Sequence, residues 1–137
     1  MEGTDAKKNY DLEERTAKLA EDIINLMKKI PLNEITRPII TQITKSGTSQ
    51  AANYYEANEA ESKKDFVHKI GIAKKETKET KLWLRLLANA HEPIREEARR
   101  LWKEAHELNL IFAAIIRNTN KNILKNDIKS LQEKSEN

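Results

Sequence analysis

Apolar residues recur along this chain at steps of three, four and seven, the signature of one buried helix face. Leu12, Leu19, Ile23, Leu26 and Ile30 form the first stripe, with Thr16 in its one empty slot. Asp11 can cap this helix, and Glu14, at the third helical position, can reach back to it. Pro31 stops the stripe, and the next helix is expected to open near Thr36 and Pro38, because proline is tolerated only in a first turn. That second segment, roughly 38–58, starts with Ile39, Ile40 and Ile43 and then meets Ser46, Gly47, Thr48, Ser49 and Gln50. Propensity alone reads those five as a loop. Good helix formers resume at once with Ala51, Ala52, Glu56, Ala57 and Ala60, and small residues allow a neighbour to come close. The pattern therefore predicts one continuous helix with a small, polar packing strip, in which Ser46, Ser49 and Asn53 are the structural residues. Ser46 and Asn53, two turns apart, are expected to face a neighbouring helix.

Ser62 caps a third helix, with Asp65 three residues on, and Phe66, Ile70, Ala73, Thr77, Thr80, Leu84 and Leu87 continue it. Residues 89–91 read as a short connection, and Pro93 opens a fourth helix. Its stripe runs Ile94, Ala98, Leu101, Ala105, Leu108, Phe112 and Ile115, and Asn118, Thr119 and Asn120 are expected to end it. Beyond them Leu124, Ile128 and Leu131 recur among lysines, as an extension of that helix or a separate short one. The expected organisation is a disordered N-terminus over 1–10, an antiparallel up-down-up-down four-helix bundle over 11–117, and a polar, partly helical tail over 118–137.

Composition agrees with an all-α fold. The 137 residues include only three glycines and three prolines, too few for the many tight turns of a sandwich or barrel. With no cysteine, disulfides, thiol nucleophiles and thiolate zinc sites are excluded. No stretch approaches the roughly 20 apolar residues of a membrane span, and the charged N-terminus lacks a signal-peptide core. A soluble cytoplasmic protein without a membrane partner is expected.

Two helices carry more apolar surface than one core uses. Leu82, Trp83 and Leu86 flank Leu84 and Leu87, while Trp102, Leu110, Ile111 and Ile116 lie outside the fourth stripe. A helix apolar all round is buried all round. Leu82, Trp83 and Leu86 are thus candidate contacts for a second subunit, with packing of the tail as the other way to cover them.

Catalytic chemistry finds little support. A di-metal bundle centre needs Glu-x-x-His pairs, and none of His68, His91 and His106 sits in one. Ser46-Gly47-Thr48-Ser49 is no phosphate loop, since no Gly-Lys-Ser/Thr follows a strand. Glu76 and Glu79 lie between lysines on a polar face. No metal, cofactor or enzymatic activity is expected.

Charge is more informative. The chain has 25 Lys and Arg against 22 Asp and Glu, a formal net charge of only +3. The third helix alone carries eight bases, from Lys63 to Arg85, against Asp65, Glu76 and Glu79. Lys63, Lys64, Lys74, Lys75, Lys78 and Lys81 are therefore candidate contacts to the phosphates of RNA or DNA. The bland alternative is a solvated face on a protein–protein scaffold with an unspecified protein partner. Arg95, Arg99, Arg100 and Lys103 add to the bases but look offset by Glu96, Glu97, Glu104 and Glu107.

Several segments occur in a familiar order: Tyr10-Asp11-Leu12-Glu13-Glu14-Arg15-Thr16, Ser46-Gly47-Thr48-Ser49, Ala52-Asn53-Tyr54, Glu56-Ala57 and Ser62-Lys63-Lys64-Asp65-Phe66. Lys75-Glu76-Thr77, Glu79-Thr80 and Trp83-Leu84-Arg85-Leu86-Leu87 follow. Over roughly 10–117 the chain resembles the four-helix-bundle proteins encoded in intervening sequences of bacterial 23S ribosomal RNA genes. That resemblance implies a bundle assembling into a ring-like homopentamer. It extends in fold to the accessory protein of diversity-generating retroelements, which binds nucleic acid and a reverse transcriptase. Gln50 and Tyr55 depart from the family pattern, which has an apolar residue and a basic one at those positions.

Overall fold

A computed structural model describes residues 2–136, and side chains from Asp11 to Glu136. Four helices follow one another: α1 (Glu2–Met27), α2 (Thr36–Asn58), α3 (Lys63–Ala90) and α4 (Arg95–Glu136), the last entered through a 3-10 turn at Glu92–Ile94. Hydrogen bonds and ion pairs between the helices fix their directions. Along α1 and α2, Glu13 meets Asn58 and Thr16 meets Gln50. Between α2 and α3, Glu56 meets Lys69 and Ser46 meets Thr80; between α3 and α4, Lys74 meets Asn109 and Lys81 meets His106. Arg15 reaches Glu104, and Lys29 reaches Glu97, closing α1 on α4. Every one of these ladders rises on one helix as it falls on the next, which makes the bundle antiparallel, up-down-up-down.

The core follows the stripes read from the sequence, with Tyr54 of α2 added to them. Leu19, Ile23 and Leu26 of α1, Ile43 and Tyr54 of α2, Ile70, Leu84 and Leu87 of α3, and Leu101, Leu108 and Phe112 of α4 are buried. Thr16 fills its slot among them and donates from its hydroxyl to the Glu13 carbonyl at 3.1 Å, so its polar atom is not stranded.

α2 is unbroken through 46–50, and the small residues there have specific jobs. Gly47 lies so near α1 that a Cβ would stand 2.7 Å from Ile23 Cδ1. Ser46 and Thr80 share a buried hydroxyl–hydroxyl bond of 2.9 Å across to α3. Asn53 does not reach a neighbouring helix as expected. Its amide donates to the Ser49 carbonyl at 2.9 Å and the Ser49 hydroxyl at 3.0 Å, one turn back on α2. Gln50 takes the cross-helix role instead, fully buried and donating to the Thr16 carbonyl of α1 at 2.8 Å. A longer side chain was needed to span that gap.

The helix ends are set locally. Asn33 Oδ1 accepts from the backbone of Ile35 and Thr36, both at 2.9 Å, and the Thr36 hydroxyl donates to the Pro31 carbonyl at 2.7 Å. Ser62 caps α3 as expected, accepting from the Asp65 N–H at 3.0 Å. Two boundaries differ from the expected ones. α1 runs from Glu2, so Asp11 lies inside the helix and caps nothing. The disorder expected over 1–10 concerns Met1, outside the described residues, and residues whose side chains are not described. At the other end α4 does not stop at 118–120 but continues to Glu136. No Gly or Pro follows Pro93, and Thr119 satisfies its hydroxyl on the Ile115 carbonyl at 2.8 Å, so nothing breaks the helix. Leu124, Ile128 and Leu131 are exposed on this extension and do not cover α3.

Candidate nucleic-acid interface

Helical geometry sorts the charges of α3 and α4 by face. On α3 the acids lean toward α2. Burial pushes the Glu76 carboxyl above its usual range, and the Glu79 charge adds to this, while Lys75 and Lys45 of α2 oppose it. The bases Lys74, Lys78, Lys81 and Arg85 flank the opposite side of the buried stripe, toward α4.

On α4, Glu97, Glu104 and Glu107 pair with residues of α1 and of the turn just after it. Arg15 clasps Glu104 with two donors, Nη2 at 2.6 Å and Nε at 3.3 Å, and stands 3.4 Å from Glu107. Lys29 pairs with Glu97 at 3.2 Å. The hydrogen bond to Glu104 raises the basicity of the Arg15 guanidinium, with the charges of Glu104 and Glu107 adding to it against the cost of burial. The flank of α4 facing α3 is left with Arg95, Arg99, Trp102, His106 and Asn109, at steps of four, three, four and three.

The α3–α4 seam is therefore basic on both walls. Asn109 fastens it, donating to the Lys74 carbonyl at 2.9 Å and to the Thr77 hydroxyl at 3.1 Å. Beside this latch Gly71, Lys74, Lys75, Lys78 and Lys81 line a hollow of about 330 Å³. Lys81 Nζ lies 2.9 Å from His106 Nδ1, within hydrogen-bond distance. The same ammonium lies 4.8 Å from the centre of the Trp102 ring, and His106 stacks on that ring at 5.1 Å. Further along the seam a larger hollow of about 570 Å³ opens between Arg85 and Ala88 of α3 and Ala98, Arg99, Trp102 and Lys103 of α4. Arg85, Arg99, Lys103, Lys74, Lys75 and Lys78 have no ion pair among the described residues. No group of His, Cys, Asp and Glu able to hold a metal occurs among the described residues, and no described helix is long and apolar enough to cross a membrane.

Four of the six lysines singled out from the sequence, Lys74, Lys75, Lys78 and Lys81, come together in this way. Lys63 and Lys64 do not: they are exposed on the first turn of α3, about 15 Å of helix away. Sequence reasoning missed the α4 wall, because Arg99 and Lys103 looked neutralised by acids that in fact face α1. On the outer side of α3, Leu82 and Leu86 are 48% and 37% exposed. Trp83 is half-buried against the core, with its indole N–H enclosed and unpaired.

The bundle, its small-residue strip and its helix order agree with one family. The description 23S rRNA-intervening sequence protein matches residues 8–114. The chain belongs to that family. Among solved structures it is similar to a protein of unknown function from the S23 ribosomal protein family of Bacteroides thetaiotaomicron. The two share 36% identity over 76% of this chain and 96% of that one, with a TM-score of 0.69. No curated protein matches the chain. The 23S rRNA-intervening sequence family match stops at residue 114, so most of the α4 extension lies beyond it. Neither comparison bears on the likeness to the retroelement accessory protein.

Proposed function

We propose that this member of the 23S rRNA-intervening sequence family is a non-enzymatic, cytoplasmic, homo-oligomeric bundle that binds nucleic acid along its α3–α4 seam. One observation carries the reading: bases line both walls of a single seam, while Glu76 lies toward α2 and Glu97, Glu104 and Glu107 pair away from the seam. Desolvated or paired bases would serve stability, whereas unpaired ones held side by side repel each other and favour a polyanion. RNA and DNA backbones both satisfy such a surface, since phosphate contacts carry no sequence information.

Two exposed apolar patches favour the oligomeric part of this reading. Leu82 and Leu86 form an exposed apolar strip on α3, and a second apolar hollow of about 360 Å³, lined by Ile24, Met27, Ile30, Leu32 and Ile40, lies at the α1–α2 end. Two different patches on one protomer favour head-to-tail contact, which closes into a ring where the rotation allows. A homopentamer is the state that the family likeness favours. Each ring would repeat the basic seam and multiply its field.

The test of binding is the salt dependence of affinity for an RNA and a DNA oligomer. Changing Lys74, Lys75 and Lys78 together to Gln should weaken binding and flatten the slope of log affinity against log salt. Each lost phosphate contact should remove roughly 0.7 from the slope on single strands. These side chains lie off the buried stripe, so the melting curve should be retained. A wild-type chain that binds neither RNA nor DNA at low salt would leave a protein–protein scaffold as the better account.

A further inference from the structure

The larger hollow of the seam is unlike a pure phosphate site. Its floor is apolar, made by Leu84, Ala88 and Ala98, and one wall is the Trp102 indole. Arg85, Arg99 and Lys103 surround it without ion pairs among the described residues, while Arg95 is drawn aside to Glu92 at 3.4 Å. Ala88 of α3 and Ala98 of α4 both line it, and their short side chains take up little of the space. Its volume, about 570 Å³, is within the range of pockets that enclose small organic ligands. A phosphate group alone has no use for the apolar floor or the indole. A flat aromatic ring attached to an anion uses all of it: the ring lies against Trp102 and the alanines, and the anion meets the cationic rim.

We propose that this cleft takes an unpaired nucleobase, so that the protein prefers single-stranded nucleic acid. The inference rests on the phosphate-binding reading of the seam and adds a base-stacking site to it. The lysine hollow beside Asn109 holds the neighbouring backbone, and Trp102, touched by Lys81 from that hollow, stands where the two meet. Every base has a π-face, so stacking of this kind is tolerant of sequence. A duplex keeps its bases paired and stacked internally, and can offer only its phosphates.

The experiment compares four probes of equal charge on the wild-type chain, by anisotropy of a labelled end: oligo-dT, oligo-rU, an oligomer of abasic sugar-phosphates, and a blunt duplex. The two single strands should bind about ten-fold or more tighter than the abasic oligomer, the scale of one base stacked on an aromatic side chain. Trp102→Ala should bring oligo-dT affinity down to that of the abasic probe, whereas Trp102→Phe should retain most of it. With Trp83→Phe, Trp102 is the one remaining tryptophan. Its emission should then fall on adding oligo-dT and stay unchanged with the abasic oligomer. Equal affinity for the abasic and base-bearing strands, or for the duplex, overturns the base site while leaving the phosphate reading intact. No binding of any probe overturns both. The wild-type comparison holds even if a Trp102 variant fails to fold.

Discussion

Gly47 and Gly71 both lie inside helices, and the structure gives their alanine variants opposite fates. An interior glycine costs about 1 kcal/mol relative to alanine, through backbone entropy. At Gly71 nothing lies within 4 Å of the added methyl, so Gly71→Ala should gain that full amount. At Gly47 the same gain meets Ile23, whose Cδ1 would be 2.7 Å and Cγ2 3.3 Å from the new carbon. Ile23 is completely buried, so its Cδ1 can move aside only within the packed core. Crowding of a packed core costs about 1–3 kcal/mol, enough to cancel or outweigh the propensity term. Comparing the two variants removes propensity from the balance and leaves packing alone, so Gly47→Ala should be less stable than Gly71→Ala by about 1–3 kcal/mol. Ile23→Val supplies the control. It deletes Cδ1 and should cost about 0.5–1.5 kcal/mol beside glycine, but little or nothing beside alanine, because the methyl it removes is the one that clashes. Urea denaturation followed by circular dichroism, at a fixed protomer concentration, measures all four corners of the cycle. Equal stabilisation by both alanines, or an additive cycle, would refute the claim that α1 and α2 approach through Gly47.

Glu76→Gln should raise the melting midpoint at neutral pH. Burial and Glu79 raise the folded carboxyl above its usual 4.5, so the folded state holds the proton more tightly, and stability is lost as pH rises through that window. The variant's advantage should vanish below pH 4, where the wild-type group is neutral in both states. Arg15→Gln should cost on the order of 1 kcal/mol, since it undoes a two-pronged, partly buried clasp on the slender α1–α4 seam. Lys18→Gln, which breaks a pair with an exposed lysine, should cost much less in the same thermal melts. Leu86→Glu should lower the mass seen by light scattering with helical content kept; an unchanged mass would refute a subunit contact through α3. Deleting the residues after 118 should leave the melting midpoint unchanged, because the side chains removed are almost all exposed.

The helices, their order and their buried faces were legible because each stripe repeats over five or more turns, and such a pattern has one low-energy solution. The expected cap at Asp11 and the expected stop at 118–120 rested on single polar residues. A residue such as Asp11 or Asn118 can end a helix, yet extending one already formed costs little, whereas starting one is expensive. Pro31 and Pro93, which cannot be absorbed into a helix interior, and Ser62, whose hydroxyl caps α3, gave boundaries close to those found. Asn53 was misjudged for a related reason. The heptad spacing from Ser46 is real, but helix faces are wide, and the amide one turn from Ser49 finds its partner at home. Gln50 reads as a polar intruder in the sequence and turns out to bridge α1 and α2.

The candidate site was half visible, and the missing half shows how charge should be read on helices. Summed along α4, the bases and acids cancel, and the chain as a whole is barely basic. Cancellation along a sequence is no cancellation in space, because neighbours in a helix point about 100° apart. Glu97, Glu104 and Glu107, at steps of seven and three, fall on the flank that meets α1; Arg95, Arg99 and His106, at steps of four and seven, fall on the flank that meets α3. These acids thus pair with Arg15 of α1 and with Lys29 just beyond its end, away from α3. With the acids of α3 turned to α2, the α3–α4 seam is the place in the bundle where like charges accumulate on facing walls. Such an arrangement costs stability by self-repulsion, and a fold optimised for stability alone would have put one of those glutamates across from Lys81. Trp102 lines a hollow in the same seam, and the proposed binding furrow rests on that aromatic wall as well as on the charge.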